Sequence, residues 1–244
     1  MKNSIAESVK SKVNKIEPGV VFSYTSFKLD DTDKMAMANT LSRMVRKGTI
    51  VRVAKGKYYK PKQSTFGQLR ASERQIIDAV TIRKGERIGY VTGLSVYSLL
   101  GLTTQISNTI TIATNTRLPD KEIEGYKIKF VQRTAPVQEE YIPLLQILDA
   151  IRDIKTIPDT TIESSLKILI EQVKSLSLKD RQLLARLVMD YNPATRALMG
   201  AILEQYSKRT TIVKIAQSLN SLSQYNIGIP NGTLLPNKAK WNLL

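Results

Sequence analysis

The pattern of apolar residues between positions 33 and 62 constrains the fold more than any other part of the sequence. From Met37 to Val45 they recur at the spacing of one helix face, which predicts an amphipathic helix over residues 33–47 that ends at Gly48. The period then changes to that of β-strands, with a tight turn at Lys55-Gly56 between two short β-prone runs. The sequence therefore predicts a helix that leads directly into a β-hairpin.

Two further helical segments precede this pattern. Residues 4–16 carry apolar positions about one helical turn apart, and Ser23 is suited to cap a short helix over residues 24–29. The order of helix, short helix, longer helix and basic hairpin is typical of a winged helix-turn-helix. We therefore predict a winged helix-turn-helix DNA-binding domain over residues 1–63.

The remaining sequence predicts two regions of different character. Residues 64–136 form a small α/β unit, with helices at 72–82 and 94–100 and strands at 109–114 and 126–132. Residues 137–244 are mostly helical and end in an irregular tail; their predicted helices span 141–154, 161–175, 177–191, 192–206 and 211–222. The predicted fold class is α+β, and we expect residues 64–244 to behave as one domain.

The charge of the chain is concentrated at one end. The net charge is +16, and residues 1–63 hold 14 basic and 5 acidic residues, which is more than half of the excess. A localised positive field attracts polyanions, above all nucleic acid. The charge distribution therefore favours a nucleic-acid-binding surface over a general contribution to solubility.

Several classes of function are excluded or disfavoured by composition. The chain has no Cys and no His, which excludes thiolate nucleophiles, imidazole bases, disulfides and almost every zinc site. We predict no catalytic residue, no metal site and no cofactor. The first residues lack the apolar core of a signal peptide, and no apolar run approaches the roughly 18 residues of a membrane span. We expect no role in a membrane and a cytoplasmic location.

The face of the predicted helix opposite its apolar stripe carries side chains that suit duplex DNA. These residues are Lys34, Asn39, Ser42, Arg43, Arg46 and Lys47, and the hairpin adds Arg52, Lys55 and Lys57. Arg suits bidentate contacts to guanine and Asn contacts to adenine, whereas Lys and Ser suit phosphates. Two alternatives to DNA binding stay open. Arg43, Arg46 and Lys47 complement the dipole at the C-terminus of the helix, or the domain contacts a protein. Of Tyr58 and Tyr59, we expect one in the core and the other at a phosphate.

The acidic residues give weaker patterns. Asp30, Asp31 and Asp33 precede a helix and are expected to cap it rather than to bind a cation. Glu122, Glu124 and Lys127 lack the compact spacing of a metal-dependent nuclease. The remaining acids of interest, Asp149, Asp153 and Glu163, are interpreted as part of a solvated helix face.

Three segments carry a family resemblance. They are VRKGTIVRVAKGKYYKPK (residues 45–62), GYVTGLSVYSLLGLTTQISNTITIAT (residues 89–114) and YNPATRALMGAILE (residues 191–204). In order and spacing they resemble the AbiEi-type antitoxins of bacterial type IV toxin–antitoxin (abortive infection) systems. The resemblance extends from about Val20 to Glu204, and the middle segment is the most specific part of it.

This resemblance implies a transcriptional autorepressor that binds double-stranded operator DNA with inverted repeats and also neutralises a nucleotidyltransferase-like toxin. By motif position, DNA binding falls on Arg43, Arg46, Lys47, Arg52, Lys55 and Lys57. Antitoxicity falls on the region after the winged helix, and the segment after Glu204 has no counterpart. Two alternatives remain: a plain winged-helix regulator without a toxin partner, and a nucleic-acid-processing enzyme.

Overall fold

The protein divides into two compact units. The structure, a computed structural model, describes residues 4–27, 33–65, 67–230 and 234–244. One unit comprises residues up to 86 together with residues 122–126, and the other comprises residues 87–121 and 127–244. The mixed α+β fold class predicted from the sequence is confirmed by the elements of both units.

The first unit opens with two helices and a small antiparallel sheet. Helix α1 spans Ile5–Lys15, and a capping box between Ser4 and Glu7 fixes its start. The elements that follow are strand β1 (Val21–Ser23), a 3₁₀ turn (Tyr24–Phe27), helix α2 (Lys34–Arg46), strand β2 (Val51–Ala54) and strand β3 (Lys57–Tyr59). The sheet order is β1-β3-β2, with both pairings antiparallel. One apolar core joins the two helices, the 3₁₀ turn and strands β1 and β3. It contains Val9, Val13, Phe22, Phe27, Met37, Leu41, Met44, Ile50 and Tyr58.

The local predictions for this unit are largely confirmed. Helices α1 and α2 and the β2–β3 hairpin form where the apolar periods place them. The short second helix is a 3₁₀ turn in the described part, because the Ser23 amide donates to Ser26 Oγ and closes a tight turn. Its predicted end, residues 28–29, lies outside the described residues. Strand β1 was not predicted, although part of it lies in a short apolar run at residues 20–22.

The first unit extends beyond residue 63, the predicted end of its domain. Strands β4 (Lys62–Ser64) and β5 (Gly67–Leu69) form a hairpin, and helix α3 spans Glu73–Thr81 behind a capping box of Ser72 and Gln75. Short strands β6 (Ile82–Arg83) and β7 (Glu86–Arg87) follow. Hydrogen bonds from Lys57 to the end of α3, and from the Gln75 amide to the Gly19 carbonyl, attach α3 to the preceding elements.

The second unit contains the strands that the sequence predicts best. Strand β8 (Gly89–Thr92), helix α4 (Leu94–Leu99) and strands β9 (Thr109–Thr114) and β11 (Tyr126–Gln132) follow in chain order. Strand β10 (Lys121–Ile123) comes between β9 and β11 in the sequence, and two of its three residues belong to the first unit. Strands β9 and β11 are parallel, with Ile110 opposite Ile128, and β8 lies antiparallel to β9. Both β9 and β11 have the predicted bounds, because their period-two alternation places the isoleucines in the core.

Helices complete the second unit. They are α5 (Ile142–Arg152), α6 (Ile162–Ser175), α7 (Leu178–Leu187), α8 (Pro193–Tyr206) and α9 (Arg209–Gln217). Thr161, Ser177 and Asn192 accept backbone hydrogen bonds as N-caps of α6, α7 and α8. The tail docks on α8 through the buried Trp241, whose ring fills the space where a Cβ of Gly200 would lie. Among the described residues, no helix combines the length and apolar character needed to span a membrane.

Candidate nucleic-acid interface

Helix α2 separates its apolar and polar residues onto opposite faces. Met37, Leu41 and Met44 are buried in the core of the first unit. Asn39, Ser42, Arg43 and Arg46 are exposed, as are Lys34 in the first turn and Lys47 at the C-cap. Six of the nine residues predicted to bind DNA therefore lie exposed on this one helix and its cap.

The exposed face of α2 carries no negative charge. No Asp or Glu occurs between the first and last residues of the helix, although acids are favoured near helix N-termini. Asp33, which precedes the helix, makes no capping hydrogen bond through its side chain, so the predicted capping role is not observed. Asp30 and Asp31 lie outside the described residues. Arg43 and Arg46 occupy the last turn, where they also suit the negative end of the helix dipole.

The β2–β3 hairpin presents two of its three predicted residues to solvent. Arg52 is exposed, and its Nε lies 3.4 Å from the carbonyl of Ala54. Lys55 is exposed at the turn. The turn requires glycine at position 56, because its φ is 72° and a Cβ there would lie 3.0 Å from the Tyr24 ring.

Lys57 has a different environment from Lys55. Its Nζ donates to the carbonyls of Asp78 (3.4 Å), Ala79 (2.7 Å) and Ile82, at the C-terminal end of α3. Burial lowers the pKa of Lys57, and the nearby Asp78 partly offsets this. The structure therefore directs the charge of Lys57 to another element of the same unit rather than to solvent.

Both tyrosines of β3 are buried, so the expectation that one faces outward is wrong. Tyr58 is 4% exposed and Tyr59 is 1% exposed. Strand β3 is central in its sheet, and both of its faces are covered. The Tyr58 hydroxyl lies 3.1 Å from that of Tyr24, and burial together with this hydrogen bond raises the pKa of Tyr58 to about 12. The Tyr59 hydroxyl donates to Glu124 Oε2 at 2.6 Å.

That last contact also gives Glu124 a structural role. Glu124 lies in a turn with a φ of 54°. The pKa of Tyr59 is raised mainly by burial of its hydroxyl and also by the hydrogen bond to Glu124. Glu122 and Lys127 are exposed. Within the described ranges, no three acidic residues come together in a way that could hold a metal ion.

Asp149 overturns the prediction of a solvated acidic face. It is completely buried in the second unit. Its carboxylate accepts hydrogen bonds from Arg133 Nε (2.8 Å), Tyr90 (3.0 Å), Thr92 (2.6 Å) and Tyr191 (3.1 Å). The neighbouring Asp153 is partly buried, and it accepts from the Tyr97 hydroxyl at 2.7 Å and lies 3.8 Å from Arg133.

Glu163 is exposed, as predicted. The signal that distinguishes Asp149 from it lies in the flanking residues. Asp149 is flanked in the sequence by the apolar residues Leu148, Ala150 and Ile151, and a helix that is apolar around most of its circumference is mostly buried.

The second unit also contains a long segment without charged residues. Residues 88–116 contain no Asp, Glu, Lys or Arg, although a quarter of the chain is charged (24%). Leu99 is 87% exposed and Ile106 is 93% exposed within this segment. Sequence reasoning missed this feature, although the charge-free run was visible in the residue pattern.

Comparisons with known proteins give a family but no function. A model of a family of unknown function, DUF6088, matches residues 5–177. No curated protein matches the chain. Among solved structures, the crystal structure of RV2827C protein from Mycobacterium tuberculosis is similar, at 12% identity and a TM-score of 0.48, over 88% of this chain and 81% of that chain.

Proposed function

We propose that this chain, which belongs to the DUF6088 family of unknown function, binds duplex DNA through the exposed face of α2 and the β2–β3 hairpin. One observation carries the proposal: the face of α2 is exposed, free of acids and lined by Arg43, Arg46 and Lys47, with Asn39 and Ser42 beside them. These are the side chains that recognise base edges and phosphates.

The arrangement of the first unit supports a winged helix-turn-helix. Helix α1, the 3₁₀ turn, helix α2 and the β2–β3 hairpin follow in the order of that motif, and β1 adds the third strand of its small sheet. In such domains the helix before the hairpin enters the major groove. We infer that α2 is the recognition helix, and that Arg52 and Lys55 contact the phosphate backbone or the minor groove.

We extend this proposal to autorepression and to neutralisation of a nucleotidyltransferase-like toxin. Both extensions rest on the resemblance of three segments to AbiEi-type antitoxins. For a protein partner, the charge-free segment 88–116 is a further support, because the cores of protein interfaces are depleted of charge. Leu99 and Ile106 supply the exposed apolar area that such a contact needs. The proposal involves no catalytic step and no cofactor.

Binding to the chain's own promoter region tests the first role. Fluorescence anisotropy with a labelled duplex from upstream of the gene is expected to show specific binding, with a scrambled duplex at least tenfold weaker. Contacts to roughly three to six phosphates predict that log K falls with log salt at a slope between about −3 and −5. Equal affinity for both duplexes would leave only non-specific binding. Undetectable binding at low salt would contradict the proposal.

Lys55 and Lys57 form a matched pair of lysines that the proposal assigns to different roles. Lys55→Met is expected to make the salt slope less negative by about 0.9 and to leave stability unchanged, because Lys55 faces solvent. Lys57→Met is expected to leave the salt slope unchanged and to lower the free energy of unfolding by about 1–2 kcal/mol, because the α3 carbonyls lose a charged donor. Binding titrations over a salt series measure the slope, and urea unfolding measures the stability. The assignment would be refuted if Lys55→Met lowered stability and Lys57→Met changed the slope.

The second role is tested by the double substitution Leu99→Ser/Ile106→Ser. Co-expressed with the gene adjacent to its own, the variant is expected to lose growth rescue while it still binds the upstream duplex. Loss of apolar contact area explains the first effect, and the location of both residues outside the first unit explains the second. If the adjacent gene is not toxic, the plain regulator is favoured. If the variant still rescues growth, the partner contacts another surface.

A further inference from the structure

We infer that Met35 is a specificity residue that reads the 5-methyl group of a thymine in the major groove. The inference rests on the proposed DNA-binding function and deepens it. Met35 is 76% exposed in the first turn of α2, although the other two methionines of the helix, Met37 and Met44, are buried in the core. An apolar side chain of this size gains stability only when a partner covers it.

The position of Met35 indicates which partner covers it. Asn39 follows four residues later and Ser42 seven residues later, so the three side chains form one exposed row along α2. The cations Arg43 and Arg46 continue the same face toward the end of the helix. The occupant that suits the whole row is therefore anionic and offers polar edges with an apolar group, which are properties of duplex DNA containing thymine.

The chemistry of the major groove matches the first turn of the helix. Residues near the N-terminus of a recognition helix contact base edges. Thymine presents a methyl group there, and adenine presents the donor and acceptor pair that suits Asn39. The four-residue step from Met35 to Asn39 rises by about 6 Å along the helix, and base pairs are stacked about 3.4 Å apart. Met35 and Asn39 are thus placed to read positions one or two base pairs apart.

Replacement of thymine by deoxyuridine tests the inference, because uracil lacks only the methyl group. The probe is the tightest-binding duplex recovered from a randomised pool, with each thymine replaced in turn. One replacement is expected to weaken binding of the unmodified protein by about fourfold, the effect of one buried methyl group. Met35→Ala should bind the thymine and uracil forms equally, and Met35→Leu should retain the preference.

Lys47→Gln is the control variant. It is expected to weaken binding to both forms alike and to keep their ratio, because a phosphate contact carries no base information. If the protein binds duplexes but no thymine position responds, or if Met35→Ala keeps the preference, the inference is overturned and the proposed function stands. If no duplex is bound, the proposed function fails as well.

Discussion

Reversal of the charges of Arg43 and Arg46 (R43E/R46E) is expected to abolish specific binding to duplex DNA, with a loss of affinity of about 100-fold or more. Both side chains are exposed in the last turn of α2, so each substitution removes a contact and adds a charge that the phosphates repel. Anisotropy titration at fixed salt measures the loss. The neutral variant R43Q/R46Q should lose less, because it removes the contacts without adding repulsion.

A matched control separates a local contact from the general field of a cationic protein. Lys127→Glu/Lys129→Glu changes the net charge by the same amount, on exposed residues of β11 in the second unit. We expect this control to change affinity by less than about threefold at 0.15 M salt, because neither residue belongs to the proposed interface. Equal losses of DNA affinity in the two double variants would mean that the protein's overall positive charge, rather than a local contact of α2, attracts the DNA.

Charge reversal at the end of a helix also affects folding. Glutamate near the C-terminus of α2 opposes the helix dipole and is expected to cost about 0.3–1 kcal/mol per position. Unfolding curves of R43E/R46E therefore accompany the binding data. A variant that remains folded at the assay temperature and fails to bind supports the DNA contact. A variant whose binding is intact would show that Arg43 and Arg46 only complement the dipole.

The parts of this fold that could be predicted from the sequence are those with a local cause. The spacing from Met37 to Val45 predicts α2, and the alternation in β9 and β11 predicts their bounds. The capping box of Ser72 and Gln75 likewise marks the start of α3, because both residues lie at its first turn. Each of these signals lies within a few residues of the element that it predicts.

The parts that could not be predicted depend on contacts distant in sequence. Lys55 and Lys57 look equivalent in the hairpin, but only the position of α3, more than 20 residues later, gives Lys57 its acceptors. Tyr58 and Tyr59 point to opposite faces, as a strand requires, but both faces are covered by other parts of the unit, so neither side chain reaches solvent. Local periodicity describes one element at a time, whereas burial of a side chain depends on every element packed against it.

Loss of the Asp149 side chain is expected to destabilise the second unit strongly. Asp149→Ala leaves Arg133 without its closest partner and removes the acceptor for Tyr90, Thr92 and Tyr191. Loss of one partner of a buried ion pair costs about 3–5 kcal/mol, because the other charge stays buried and uncompensated. Urea unfolding followed by fluorescence measures this change in the second unit, since the single tryptophan, Trp241, is buried there.

Two further variants test this prediction: one is a control, and the other tests whether an unpaired charge causes the loss of stability. Glu163→Ala removes an exposed helical acid and is expected to change stability by less than about 0.5 kcal/mol. Asp149→Ala combined with Arg133→Met should cost less than the sum of the two single losses, because the double variant leaves no unpaired charge. Additive losses would mean that the hydroxyl donors, rather than Arg133, make Asp149 necessary. Stability close to that of the unmodified protein in Asp149→Ala would mean that water replaces the carboxylate.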